Sequence, residues 1–352
     1  MKTLLLGDVC PTEFSAPLFD KGDIKNLFND TVSLFEGNDV NLINLECAIT
    51  ESENKIEKFG PNLKAPFGTA DTLKKLGVTH VGLSNNHIFD FGKEGARDTL
   101  SALDKAGLEY TGFGENYDDS RKNLVIEKGG EKVAFITVCE HEYSYALADR
   151  MGSRPFDEFD TIEDIRDAKK TADRVIVMYH GGKEQCMYPS PRLYKACHAM
   201  ARAGADVILC QHSHCIGCYE QYEGCHILYG QGNFHFVKPS DAFGWHTALA
   251  VKYDTLSHKI EFIPHKNTDV GIKLADDPEI MEGFNVRSAS LKDGSWRDGW
   301  HEFCLFKEEG YKKVIHSAFE NPKKFGHYLD CEAHTDVWRE LYPTANLTNE
   351  KE

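Results

Sequence analysis

What these 352 residues lack narrows the field first. No apolar run approaches the roughly 20 residues that a membrane-spanning helix requires. The opening Met1-Lys2-Thr3-Leu4-Leu5-Leu6 carries one charge and breaks at Gly7-Asp8. It is too short for a signal-peptide core, and no small-residue cleavage site follows. Cys10 follows Asp8 and Val9, which argues against a lipoprotein signal. These absences predict a cytoplasmic protein with no membrane partner. Basic residues are also scarce: 40 Lys and Arg face 56 Asp and Glu, a formal net charge of -16. That balance excludes a general affinity for nucleic acid or anionic lipid. It does not exclude an anionic substrate, small or polymeric, because bound divalent ions can reverse the sign of a pocket. The eleven cysteines are odd in number, dispersed and without an export signal, so reduced thiols are expected. Nothing in the sequence bears on oligomeric state.

What is present has the rhythm of an α/β protein. Strands are expected at 2–6, 40–45, 79–83, 132–138, 174–179 and 205–210, all rich in Val, Ile and Leu. Helical patterns lie between them at 70–76, 94–106, 162–171 and 192–203, three of them followed by glycine (Gly77, Gly107, Gly204) as a left-handed helix end requires. Later runs at 226–229, 247–253 and 259–264 predict a second, more antiparallel sheet. A main domain over 1–268 and a C-terminal helical extension over 269–352 packed on it follow from the polar turn near Asp269. Trp296, Trp300, Phe303 and Phe306 are assigned to the core of that extension.

Metal-binding side chains recur where strands end: Gly7-Asp8, Asn44-Leu45-Glu46, Ser84-Asn85-Asn86-His87, Tyr179-His180-Gly181-Gly182 and Gln211-His212-Ser213-His214. The carboxyl ends of parallel strands share one edge of a sheet, so these clusters converge in space although they are far apart in sequence. A lone Asp after a strand is usually a turn residue, and a lone His usually packs in a core. Five such clusters together are hard to explain as packing.

The ordered set, followed by Tyr229-Gly230-Gln231-Gly232-Asn233-Phe234, resembles the CapA family of poly-gamma-glutamate capsule synthesis proteins, within the calcineurin-like metallophosphoesterase superfamily. The resemblance covers about 1–265. It implies a four-layer α-β-β-α sandwich with one or two divalent ions (manganese, zinc or iron) at one edge of the sheets. Carried over by position, Asp8 and His214 would serve a first ion, Asn86, His180 and His212 a second, and Glu46 both. His87 would protonate the leaving group, a task that suits imidazole near neutral pH. Asn233 would support the histidine loop.

One departure from the superfamily stands out: its Asp-x-His motif reads Asp8-Val9-Cys10. Cys10 is either a thiolate ligand, favouring a softer ion, or a small buried side chain beside a weakly held or missing first ion. Asn85, Glu140, His141, Lys183 and Arg192 are candidates for substrate contact. Cys215-Ile216-Gly217-Cys218 lacks the second ligand pair of a zinc ribbon. The function implied is metal-dependent hydrolysis, with a phosphoester as the first substrate class. An amide bond in a polyglutamate-like polymer is the alternative, as is a non-catalytic binding role in capsule synthesis.

Overall fold

Strands covered on both faces read as unbroken apolar runs, and here they stack as two sheets. The computed structural model describes residues 1–242, 244–317 and 320–343. In the first sheet β1 (Lys2–Val9), β2 (Val40–Leu45), β3 (His80–Gly82) and β4 (Glu109–Thr111) lie parallel in that order. The second sheet takes β5 (Leu124–Lys128), β6 (Glu131–Cys139), β7 (Arg174–His180), β8 (Val207–Gln211), β9 (Tyr219–Tyr222) and β10 (Cys225–Leu228), with β6, β7, β8 and β10 parallel and the outer two antiparallel. The chain then returns to the first sheet. β11 (Asn233–His235) runs parallel beside the end of β1, and β12 (Thr247–Asp254), β13 (Lys259–Asn267) and β14 (Ile272–Leu274) extend it antiparallel from the other half of β1.

This arrangement corrects the expected second sheet. Of the three late runs, the first pairs parallel with β8 and the other two join the first sheet, where Leu5 faces Val251 across β1 and β12. Alternating hydrophobicity identifies a strand but not its partner, which is chosen by tertiary packing.

Side-chain parity sorts the layers. Leu5, Leu42, Phe135, Ile176, Met178, Leu209 and Val251 fill the space between the sheets. On the other face of the first sheet, Leu4, Leu6, Ile43 and Leu45 pack with Leu73 and Leu103 of α1 (Gly68–Leu76) and α2 (Gly92–Ala106). On the far face of the second, Val175, Val177 and Tyr179 meet Ile165, Leu193 and Met200 of α3 (Glu158–Lys169) and α4 (Pro191–Ala203). The result is the expected α-β-β-α order. Gly77, Gly107 and Gly204 end their helices at φ 108°, 66° and 119°.

Four further helices follow: α5 (Pro278–Asp293), α6 (Trp296–Ser317), α7 (Pro322–Asp330) and α8 (Glu332–Leu341). Trp296 is buried against the α3–α4 layer, and Trp300 packs with Cys304, Tyr311 and Val337. Phe303 is half-buried beside them, whereas Phe306, expected in the core, is 79% exposed because it lies off the face of α6 that packs through Trp300, Cys304 and Tyr311.

Polar groups fasten α8 to the second sheet. Arg192, at the start of α4, donates from Nε to Asp336 at 2.9 Å and from its second guanidinium nitrogen to Glu140, which also accepts from the Tyr179 hydroxyl at 2.8 Å. The backbone N–H of His141 donates to Glu332 at 2.8 Å, and its ring bonds the same carboxylate. Glu140, His141 and Arg192 are thus engaged in fastening the C-terminal helices to the second sheet, and none of the three lines the cavity beside the strand ends.

Two predictions follow from these contacts. Replacing Arg192 with Leu strands Glu140 and Asp336, both buried, and should cost about 3–5 kcal/mol in urea unfolding; a loss under about 1 kcal/mol would show that the two carboxylates find other partners. The hydrogen bond to Glu332 outweighs burial and raises the His141 pKa above its usual 6.5. A raised folded-state pKa gives stability that is full below about 6.5 and fades as pH climbs through the folded value. The stability difference between wild type and His141→Asn should thus shrink from pH 5.5 to pH 8.5, taken as roughly a unit or two either side of the imidazole range; a constant difference refutes the pairing.

Candidate metal centre

The ends of β1, β2, β7 and β8 meet at one edge of the stacked sheets. β1 carries an irregularity between Leu5 and Asp8 that brings Asp8 level with Asn44 and Asn233 on its two neighbours. Gly7 is required there: a Cβ at this position would lie 2.1 Å from the carbonyl oxygen of Gly232. Asp8 is fully buried and accepts from Asn44 Nδ2 at 2.7 Å and from the backbone N–H of His212 at 3.0 Å. Glu46 follows β2, its own N–H donating to the Val9 carbonyl at 2.9 Å.

Around these two carboxylates stand three imidazoles. His180 places Nδ1 3.4 Å from Asp8 and Nε2 3.4 Å from Glu46, with the Asn86 side-chain oxygen 3.0 Å from the same Nε2. His212 Nδ1 is 3.2 Å from His180 Nε2, and His214 Nδ1 is 3.6 Å from Asp8 and 3.9 Å from Glu46. His212 and His214 both have positive φ, 70° and 57°. Each such non-glycine conformation costs on the order of 1–3 kcal/mol, and it persists here in the loop that turns both rings toward Glu46. Asn233 Oδ1, 2.7 Å from His214 Nδ1, steadies that ring.

All six residues expected as ligands are thus brought together. Asp8, Glu46 and His180 form one group whose ligand atoms lie within 4.8 Å of one another, and Glu46, His212 and His214 form another. Glu46 belongs to both, as the resemblance implies. His180 falls with Asp8, which crosses the division that the resemblance suggests. Cys10 is not in either group; its Sγ turns to the Pro11 carbonyl at 3.9 Å, and burial pushes the thiol pKa well up.

The donor set fits a cation on the observation of Glu46 itself. Both of its carboxylate oxygens are buried without a hydrogen-bond partner among the described residues, and neither Asp8 nor Glu46 has a Lys or Arg ion pair there. A buried, unpaired carboxylate is costly unless something positive joins it. The same demand appears at His180: burial pushes its pKa down, but Asp8 and Glu46 outweigh this and lift it to about 10. In the ion-free protein, a proton is recruited where a metal would otherwise supply charge.

His87 stands at the rim. Its Nδ1 is 2.7 Å from Asp90 Oδ2 and 3.1 Å from Lys58 Nζ, and Lys58 in turn is ion-paired with Asp90. With Nδ1 engaged and the ring lining a cavity of about 190 Å³, Nε2 is the nitrogen left to meet a ligand. Lys183 lines the same cavity. Asn85 does not reach it: its side chain accepts from the N–H groups of His87 and Ile88 and donates to the Leu45 carbonyl, so it shapes the loop.

Sequence reading missed Lys58, Asp90, Glu142, Glu184, His327 and His334. Asp90 could have been found three residues after His87 on the same turn. Lys58 comes from an irregular loop with no periodic signal. Burial raises the pKa of Glu142 and Glu184, but nearby His212 with His327 in the first case, and Lys183 with His212 in the second, more than offset it and bring both to about 2. Both remain carboxylates at the cavity wall.

Against known proteins, the sequence profile described as bacterial capsule synthesis protein PGA_cap matches residues 2–238. The chain belongs to that family. The capsule biosynthesis protein CapA of Bacillus anthracis is 34% identical over 53% of the chain and 48% of its own length. The PGA biosynthesis protein CapA of Bacillus subtilis is 30% identical over 66% of the chain and 62% of its own length. The chain therefore spans about half to three-fifths of those two relatives. A probable polyglutamine synthesis accessory protein of Mycobacterium tuberculosis is 29% identical over 89% of the chain and 80% of its own length. Among solved structures, a putative 5'-nucleotidase from Staphylococcus aureus covers 83% of the chain and 58% of its own length at 16% identity, with a TM-score of 0.48. The resemblance read from the sequence is confirmed at the level of family.

The unpaired carboxylate yields a prediction. In metal-stripped protein Glu46→Gln should unfold at equal or higher urea concentration than wild type, by up to about 1–3 kcal/mol, since it removes one of two buried carboxylates that share a single imidazolium. In protein given manganese or zinc the order should reverse. If the order is the same in both conditions, Glu46 is not a metal ligand.

Proposed function

We propose that the chain is a metal-dependent hydrolase of small anionic esters, a phosphoester foremost, with Asp8, Glu46, Asn86, His180, His212 and His214 holding one or two divalent ions. The observation that carries this reading is Glu46, buried and unpartnered between two histidine groups. Bound there, divalent ions would supply Lewis acidity, activating water at neutral pH and neutralising substrate charge.

The chain's own residues would do the rest. Lys183 and Lys58 offer positive charge to an anionic group in the cavity. Asp90 accepts from His87 Nδ1–H and fixes the tautomer, so that protonated Nε2 can hand its proton to the departing oxygen. Lys58, ion-paired with Asp90, holds that carboxylate in place beside the imidazole. An adjoining cavity of about 430 Å³ shares Glu142, Tyr143 and His327 with the first and gives room for the remainder of a substrate.

The names of the relatives tie them to capsule and PGA biosynthesis, which keeps an amide bond at the end of an anionic polymer as the alternative substrate. A binding role without turnover is favoured by one observation, that Cys10 points away from the site and leaves the first ion a histidine short. All eleven cysteines are buried and unpaired, which supports action in a reducing compartment such as the cytosol. No helix among the described residues is long and apolar enough to cross a membrane.

Purified protein should carry divalent metal and cleave phosphomono- or phosphodiester substrates with added manganese or zinc. His87→Ala should lower kcat by roughly 100- to 10,000-fold with bound metal unchanged. Metal analysis that finds none, with no cleavage on addition of either ion, refutes the reading; metal bound without turnover of ester or polyglutamate leaves the binding role.

A further inference from the structure

A second cluster of ligand side chains lies on the opposite wall of the cavity, contributed largely by the C-terminal helices. Cys331 caps α8, and His334 sits in its first turn. The ligand atoms of Glu142, Cys331 and His334 lie within 4.8 Å of one another. Cys331 is 1% exposed and His334 9%, and Cys331 Sγ lies 3.7 Å from Glu142 Oε1. The Tyr311 hydroxyl is 2.7 Å from His334 Nδ1, which orients the ring and leaves Nε2 for a ligand, the arrangement in which a metal-binding imidazole is usually found. His327, four residues before Cys331, brings its ring to 4.8 Å from that of His334, and its Nδ1 is buried without a hydrogen-bond partner.

We propose that Glu142, Cys331 and His334 form a separate metal site of the zinc class, which fastens the C-terminal helices over the cavity. The chemistry of the donors selects the ion: one thiolate, one imidazole and one carboxylate suit zinc, whereas manganese and magnesium favour oxygen. A tetrahedral zinc with bonds of about 2.0–2.3 Å sets its ligands roughly 3.3–3.8 Å apart. Ligand atoms within 4.8 Å reach that geometry by small side-chain rotations. Three protein ligands would leave a fourth position open. Glu142 links this site to the centre already described, since its Oε1 is also 3.9 Å from His212 Nε2. An ion here therefore makes closure of α7 and α8 over the cavity depend on metal.

Cobalt(II) added to the metal-free full chain distinguishes this site from the other. The six ligands of the first centre include no cysteine, so thiolate-to-cobalt charge-transfer absorption in the near ultraviolet reports Cys331. The band should be present in wild type and in Cys10→Ser, absent in Cys331→Ser and weakened in Glu142→Gln. His180→Ala should keep the band whatever becomes of activity, which separates failure of this site from failure of the hydrolase reading. Zinc analysis should find one equivalent fewer in His334→Gln than in wild type, with far-ultraviolet circular dichroism unchanged. A wild-type spectrum without the band, a band that survives Cys331→Ser, or equal zinc in His334→Gln and wild type overturns the proposal.

Discussion

Two carboxylates with too little positive charge around them govern this structure. Asp8 and Glu46 sit at the ends of adjacent strands, both fully buried and both without a lysine or arginine partner among the described residues. Burying one such group is expensive and burying two side by side more so, unless the surroundings are arranged for them. The arrangement is visible in what faces them: three imidazoles, the Asn44 side-chain amide and a backbone N–H. Burial pulls the Asp8 pKa upward, but His180, His214 and the Asn44 hydrogen bond more than reverse it. Glu46 has no such relief from hydrogen bonds. The left-handed His212 and His214, the irregularity in β1 and the glycine that permits it are intelligible as the cost of bringing nitrogen donors to those two charges.

Much of this was legible in the sequence, and the limits have physical causes. Strands such as Arg174–His180, buried on nearly every residue, announce themselves as continuous apolar runs. The chemistry follows from the direction of parallel strands, because a polar residue just past a carboxyl end has nowhere to lie but the shared edge. That rule found Asp8, Glu46, Asn86, His180, His212 and His214 across two sheets. It failed for residues from loops without a period, such as Lys58 and Glu184, and for those whose position depends on how a late helix docks. Glu140 and Glu142 show the difference within one short segment. Both follow β6, but Glu140 is claimed by Arg192 and Tyr179 while Glu142 reaches the cavity. Nothing in the local sequence distinguishes them; the partner from α4 does.

The C-terminal helices were expected as a packed extension, and the structure gives them more to do. Their aromatic side chains build a core of their own around Trp300, Tyr311 and Val337, and their polar groups tie them to the second sheet through Arg192 and His141. The two attachments differ in kind. The Arg192 pairs are buried, and burial lifts the pKa of Asp336 to about 6, so that pair weakens as pH falls through that value, whereas the His141 contact weakens as its imidazole loses a proton. The helices are thus held by two fastenings that respond to pH in opposite directions.

That difference bears on what can reach the metal centre. The cavity is small, about 190 Å³, and its outer wall is formed by His327, Tyr328, Ala333 and His334 of the C-terminal helices. Under the hydrolase reading proposed above, whatever reaches the ligands passes these helices, so their position would limit the size of a substrate, and that position rests on contacts remote from the ligands. Strand ends would then supply reactivity, and late helices selection.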